Sequence, residues 1–239
     1  MQTHEFKLLT GVECEVRELI GEDSEIFTKK KNIESGKALD MLLERIIVRV
    51  GKETNITRKF VSEMLAGDRA KALFEARQFS YDFPEEYSTN ILFGKRKVPF
   101  SIQISEIEQR NYSFQCENYE QVRDKRIIHT ILPKSQKPVF FYCLDGVAEQ
   151  SMQKINTDES SIITIINLRK PSYLTDEGKE VSLNLLALPQ KDLAHLYSEI
   201  EKAEGNIETS VKVQNPSDQN EEKLINLLAY KEFFFPSLI

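Results

Sequence analysis

Leu39, Leu42, Leu43, Ile46, Ile47 and Val50 recur at helical spacing and form the clearest apolar stripe in the chain, which Gly51 closes. Before that helix, His4–Leu9 and Glu13–Leu19 flank Thr10-Gly11, and the second arm alternates as the strand of a hairpin does. Gly21-Glu22-Asp23 opens a helix with acidic residues at its positive end, and Lys29–Lys31 close it. A short helix over Thr57–Leu65 turns Phe60, Val61 and Met64 to one side. A longer one begins at Gly67-Asp68-Arg69, points Ala70, Leu73 and Phe74 inward, and breaks at Tyr81-Asp82-Phe83-Pro84. Tyr87–Phe93 and Val98–Ile104 then read as a second hairpin.

Glu106–Asp124 is polar and weakly patterned, with Tyr112 and Tyr119 expected to be exposed, and reads as a connector. Beyond it, Arg126–Leu132 and Val139–Leu144 form a hairpin, and Asp145-Gly146 opens a helix that ends near Lys154. Ile162–Ile166 taken alone favours a strand, but its place in the order favours a helix, which is the expectation kept. A turn over Asp176–Lys179 leads to a short helix around Val181–Leu188. Pro189 then starts a helix whose stripe is Leu193, Leu196, Tyr197, Ile200 and Ala203, stopped by Gly205. Glu208–Val213 and Lys223–Leu228 form a last hairpin across a loop at Gln214–Asn220.

The order hairpin, acidic helix start, apolar helix, short helix, longer helix, hairpin therefore occurs twice. Leu19 and Gly21 match Leu144 and Gly146, and the helix opening at Gly67-Asp68 matches the one at Pro189. The expected fold class is α+β, in two related modules at 1–105 and 126–228. A connector at 106–125 joins them, and an aromatic tail at 229–239 follows. Phe233-Phe234-Phe235-Pro236 cannot turn three rings to one side, so it is either tucked into its own fold or offered to a partner. It has no counterpart in the first half. Docking on another protein, through Phe233, Phe234, Phe235, Pro236, Leu238 and Ile239, is the expectation, and removal of Phe233–Ile239 should then leave a folded protein.

With 239 residues, 40% hydrophobic and 29% charged, the composition is that of an ordinary globular protein. A net charge of −6 argues against a nucleic-acid or anionic-membrane footprint, and Lys29-Lys30-Lys31 and Lys95-Arg96-Lys97 read as a solvated turn or helix end. No signal peptide or membrane-length apolar stretch is apparent. Cys14, Cys116 and Cys143 are scattered and odd in number, which suits buried thiols in a reducing compartment.

Catalysis lacks a constellation. His4, His129 and His195 lie in unrelated elements, and Cys143 has no histidine beside it in sequence. Glu22-Asp23 and Asp158-Glu159 sit where helix N-termini favour negative charge. No enzymatic activity, catalytic residue, cofactor or metal is expected, with a cytoplasmic enzyme or adaptor as the outside alternative.

Leu9-Thr10-Gly11, the run Arg17-Glu18-Leu19-Ile20-Gly21-Glu22-Asp23, the Gly67-Asp68-Arg69 helix opening and the Phe-Phe-Phe-Pro terminus together resemble the baseplate-hub and tail-assembly family of T-even-type contractile-tailed bacteriophages. The resemblance is loose and covers most of the chain. It implies a non-enzymatic structural or assembly component of the baseplate, hub or inner part, that binds other hub and tail-tube proteins in a hetero-oligomer. A transient tail-assembly chaperone is the alternative. The implied location is the host cytoplasm during assembly and then the virion tail. Members of that family often carry cysteine pairs, as zinc knuckles, in the hairpin after the third helix. Here Phe93–Lys97 and Gln214–Asp218 offer neither thiolate nor imidazole, so no zinc site is expected.

Overall fold

The computed structural model describes residues 2–29, 32, 37–94, 96–153, 161–215, 218–229 and 231–235. The first half starts with β1 (Thr3–Lys7) and β2 (Glu13–Arg17), paired antiparallel around a turn in which Gly11 takes a φ of 87°. After a 3-10 stretch at Gly21–Thr28 comes α1 (Ala38–Ile46), which runs straight into β3 (Ile47–Val50). β3 pairs with β2, giving a three-stranded sheet in the order β1-β2-β3. Then follow α2 (Arg58–Glu63), α3 (Ala66–Ser80) and the hairpin of β4 (Glu86–Phe93) and β5 (Arg96–Gln103). Thr57 caps α2, its hydroxyl accepting from the Phe60 amide.

The middle of the chain holds β6 (Gln109–Arg110) and α4 (Tyr119–Lys125), the latter capped by Asn118 through the Gln121 amide. The second half has β7 (Ile127–Ile131), β8 (Pro138–Tyr142), α5 (Gly146–Gln153), α6 (Ile162–Asn167), β9 (Ser172–Leu174) and β10 (Glu180–Ser182). Its sheet runs β10-β9-β8-β7, all antiparallel, so α6 delivers β9 to β8 much as α1 delivers β3 to β2. α7 (Gln190–Ala203), β11 (Asn206–Ile207), the hairpin β12 (Ser210–Asn215) and β13 (Asp218–Asn226), and α8 (Lys231–Phe234) complete the chain. The fold is thus mixed α and β with small sheets, as expected.

Two apolar cores form. The smaller lies between the β7–β10 sheet and α6 and α7, with Phe141, Leu132, Ile166 and Leu196 at its centre. The larger takes the first half and also Ile207, Val213, Ile225, Leu227, Leu228, Phe233 and Phe234. The residues after α7 therefore return to the first core, and a second module drawn at 126–228 does not follow the cores.

Several expectations change for identifiable reasons. The stripe from Leu39 to Val50 is not one helix: Ile47-Val48-Arg49-Val50, with three β-branched residues of four, leaves α1 to cover the open edge of β2. Ile162–Ile166 is helical, because Ser161 caps it from the Thr164 amide and Ile166 is needed inside the second core. The connector is ordered, and Tyr112 and Tyr119 are buried in it rather than exposed. Val181–Leu188 splits into β10 and a single 3-10 turn at Leu185–Ala187. Most of the loop expected at Gln214–Asn220 belongs to β12 and β13, with a bulge between Gln214 and Asn215.

Candidate functional site

Some of the residues singled out in sequence fall at two places: the pocket that receives the aromatic end and the seam between the cores. At the first, Phe233 is fully buried, edge-on to Tyr87 at 5.1 Å and stacked on Phe74 at 6.5 Å. The Arg77 guanidinium lies 5.1 Å over its ring, and Arg77 Nε donates to the Phe233 carbonyl at 3.2 Å. Phe234 is also fully buried, stacked on Phe27 at 5.9 Å, and its carbonyl accepts from the Tyr81 hydroxyl at 2.9 Å. Phe235 is half-buried, 6.0 Å from Phe27. The short helix α8 enters among α3, β4 and the Gly21–Thr28 turn, so its rings find apolar walls on more than one side. Docking of Phe233 and Phe234 on a partner is corrected by this burial, and Phe235 already packs on its own chain. Pro236, Leu238 and Ile239 lie outside the described residues.

The Arg17–Asp23 run acts within the same core. Both Arg17 terminal nitrogens donate to Asp23 at 2.7 Å, Arg17 Nε donates to the Arg45 carbonyl, and the Ile20 amide donates to Asp23. Burial alone would raise the Asp23 pKa. The bonds from Arg17 and Ile20 outweigh it and hold the carboxyl below its ordinary value. Asp23 thus fixes the chain's exit from β2, rather than merely facing a helix dipole.

The seam is built around Arg69. Its guanidinium donates to Asp40 at 2.6 Å, to Glu149 at 3.0 Å and to the Val61 carbonyl at 2.8 Å, while Gln150 also donates to Asp40. Arg69 and Asp40 are each 2% exposed, so this is an ion pair withdrawn from water with its hydrogen-bonding groups occupied. Backbone joins the same place: Ala66 N donates to Leu144 O at 2.8 Å, and Gly146 N donates to Met64 O at 3.0 Å. A Cβ at Gly146 would sit 2.6 Å from the Arg69 guanidinium carbon, so a larger residue there would have to push that group aside. The matched Gly21 has no such neighbour.

The connector fastens this seam. The Tyr119 hydroxyl accepts from Leu65 N and the Tyr112 hydroxyl from Gly67 N, and burial raises both phenol pKa values well above the ordinary one. β6 pairs with β11, and Ser113 N donates to Ala203 O. A cleft of about 470 Å³ opens along the seam, lined among others by Tyr112, Glu149, Arg169, Tyr197 and Glu204. Its arginines already have partners: Arg169 grips Glu204 at 2.7 and 3.0 Å, and Arg110 donates to the Glu204 carbonyl.

Asp68 is fully buried and accepts from both the amide (3.0 Å) and the hydroxyl (2.8 Å) of Thr10, so the first turn of α3 holds the β1–β2 turn. Asp192, in the first turn of α7, accepts from Lys134 N at 2.6 Å and Ser135 N at 3.1 Å in the turn between β7 and β8. Burial raises the Asp68 pKa to about 7, against the opposing pull of the bonds from Thr10 and Leu9. For Asp192, burial acts upward, but the bonds from Lys134 and Ser135 prevail and lower the value.

A folded-state pKa above the unfolded one means that the fold favours neutral Asp68. That contribution is complete below the ordinary carboxylate range near pH 4 and is lost as pH rises through about 7. Asp68→Asn mimics the neutral form. Between pH 4 and 8 the parent should therefore lose up to about 4 kcal/mol of stability relative to this variant, read from urea unfolding at each pH. Parallel pH profiles for the two proteins would refute the assignment.

The remaining candidates are dispersed. Cys143 is buried and its thiol pKa is raised by burial, as for Cys14, so neither is a ready nucleophile. His195 is bonded to Thr130 at 3.0 Å, and His4 stacks on Phe6 and Phe79 with Glu75 at 3.3 Å. Glu22 is exposed, Asp158 and Glu159 lie outside the described residues, and so do Lys30, Lys31 and Lys95 of the basic runs. Among the described residues no group of three or more His, Cys, Asp or Glu side chains could hold a metal ion, and no helix is long and apolar enough to cross a membrane.

Asp40 and Glu149 escaped sequence reasoning because each looks like an ordinary polar residue of an amphipathic helix. The Arg69 they share was visible only as part of the Gly-Asp-Arg opening. Compared with family models, curated proteins and solved structures, the chain matches none.

Proposed function

We propose that this chain is a non-enzymatic component of a contractile bacteriophage tail baseplate, at the hub or inner baseplate, built from a duplicated α+β module. What supports the reading is where the residues behind the resemblance fall. Thr10 and Asp68, Arg17 and Asp23, and Arg69 are paired in buried contacts that hold turns and helices to one another. They are framework residues, the kind that a family of scaffold proteins would share, and none forms a nucleophile–base pair. The duplication is supported by the Asp68 and Asp192 contacts. In each half the first turn of the long helix accepts from the turn of the half's own leading hairpin.

Hub and tail-tube proteins are the proposed partners, reached in the host cytoplasm during assembly and retained in the virion tail. The test is to tag the chain in cells producing contractile-tailed particles and purify both the soluble complexes and the finished tails. Recovery of the tagged chain in finished tails with hub or tube proteins is expected. Its presence only in soluble complexes would favour the transient assembly chaperone. Binding to neither hub nor tube proteins would overturn both readings.

A further inference from the structure

The two sheets present very different outer faces. On the first, Glu5, Lys7, Glu13, Glu15 and Arg49 face outward, and Arg49 is held by Glu5 at 2.8 Å, Glu15 at 3.5 Å and Glu13 at 3.8 Å. That face is a solvated one, and its edge strand β1 is guarded by charge. The outer side of the second sheet carries Ile131, Pro138 and Leu174 beside His129 and Tyr142, over Phe140, which is 8% exposed, with Glu180 opposite Leu174 at its far edge. Ile131 and Leu174 are each 59% exposed, and with Pro138 and Phe140 they line a shallow concavity of about 440 Å³.

Among the described residues, β7 is the end strand of this sheet and is equally unguarded. β7 reads Ile-Ile-His-Thr-Ile, with no Lys, Arg, Asp, Glu or proline, and its register with β8 has no bulge. Cys143 N donates to Arg126 O and Leu132 N donates to Lys137 O, so the even-numbered residues of β7 face β8. The amides and carbonyls of Ile127, His129 and Ile131 therefore point off the sheet, and the same three side chains lie on its apolar face.

We propose that β7 pairs antiparallel with β7 of a second copy of this chain, on a two-fold axis through His129. The geometry is self-complementary. His129 meets His129, Ile127 meets Ile131 of the other copy, and the same holds in reverse, so each copy supplies the groups that the other lacks. Two four-stranded sheets would become one of eight, and the apolar face would continue across the axis. Charge favours this occupant, because β7 carries no Lys, Arg, Asp or Glu to oppose its own copy, whereas the equivalent pairing through β1, centred on Glu5, would set Glu5 against Glu5. The inference does not rest on the baseplate reading.

The test uses the full chain. Sedimentation velocity from low to high micromolar concentration should show a reversible monomer–dimer equilibrium. Ile131→Lys, at an exposed position, should weaken it at least tenfold with an unchanged circular dichroism spectrum. Leu224→Lys, at an exposed leucine of the far hairpin, should leave it unchanged. Under mild oxidation His129→Cys should cross-link two copies, since directly opposed residues in such a pair lie about 5.5 Å apart at Cα, within disulfide range. Ile127→Cys should not, its symmetry mate being about four residues away along the strand. A monomer at every concentration, a dimer indifferent to Ile131→Lys, or equal cross-linking by the two cysteine variants would overturn the proposal.

Discussion

Arg69→Met is expected to cost about 3–5 kcal/mol of folding free energy, because it leaves Asp40 charged and buried without its cation. Asp40 is 2% exposed and, among the described residues, would keep Gln150 as its side-chain partner, whereas Glu149 sits at the rim of the cluster and can turn to water. For a chain of this size the loss corresponds to a fall in Tm of roughly 10 °C or more. The double variant Arg69→Met, Asp40→Leu removes both charges and should recover most of the loss, since an apolar pair in place of a buried ion pair is often neutral. Chemical unfolding of the two variants distinguishes the cases. If Arg69→Met loses less than about 1 kcal/mol, the range of an exposed pair, the seam is not held by this cluster.

Phe233→Ala should be about as damaging, at roughly 3–5 kcal/mol, the range for emptying a fully buried phenylalanine site. Three effects act together: the lost apolar burial, the loss of the ring against Phe74 and Tyr87, and the loss of the face over which Arg77 lies. Burial lowers the Arg77 pKa, so its charge is already held in an unfavourable setting, and removing the ring removes one of its few compensations. Phe235→Ala, at a half-buried ring, should cost much less. Equal effects from the two substitutions would contradict this placement.

Much of the fold follows from local pattern. The hairpins around Thr10-Gly11 and Gly94 and the helices opening at Gly67 and Pro189 were legible, because caps, turns and stripes are read within a few residues. Ile162–Ile166 could be placed only by position in the order, and the Ser161 cap is the local signal that agrees with it. What local pattern hid depends on distance along the chain. Ile47–Val50 keeps the helical stripe in phase, and only the open edge of β2 makes it a strand. Tyr112 and Tyr119 sit in a polar stretch, yet their hydroxyls are fixed by amides some 45 and 54 positions earlier. The seam joins residues 40, 69 and 149, three helices whose meeting no single window contains.

The aromatic end shows the same limit. In sequence it has no partner in the first half and looks like an appendage. In space it is received by Phe27, Phe74 and Tyr87, all of the first half, and Arg77 and Tyr81 bond to its carbonyls. A segment that supplies core residues and satisfies buried donors closes the larger core rather than waiting for a partner.

Truncation after Leu228 tests this most directly. With the tail as part of the core, the shortened chain should unfold at a markedly lower urea concentration than the full one, or fail to fold cooperatively at all. A truncated chain that unfolds at the parent's midpoint, with the same slope, would contradict it and return Phe233 and Phe234 to the role of a docking tail.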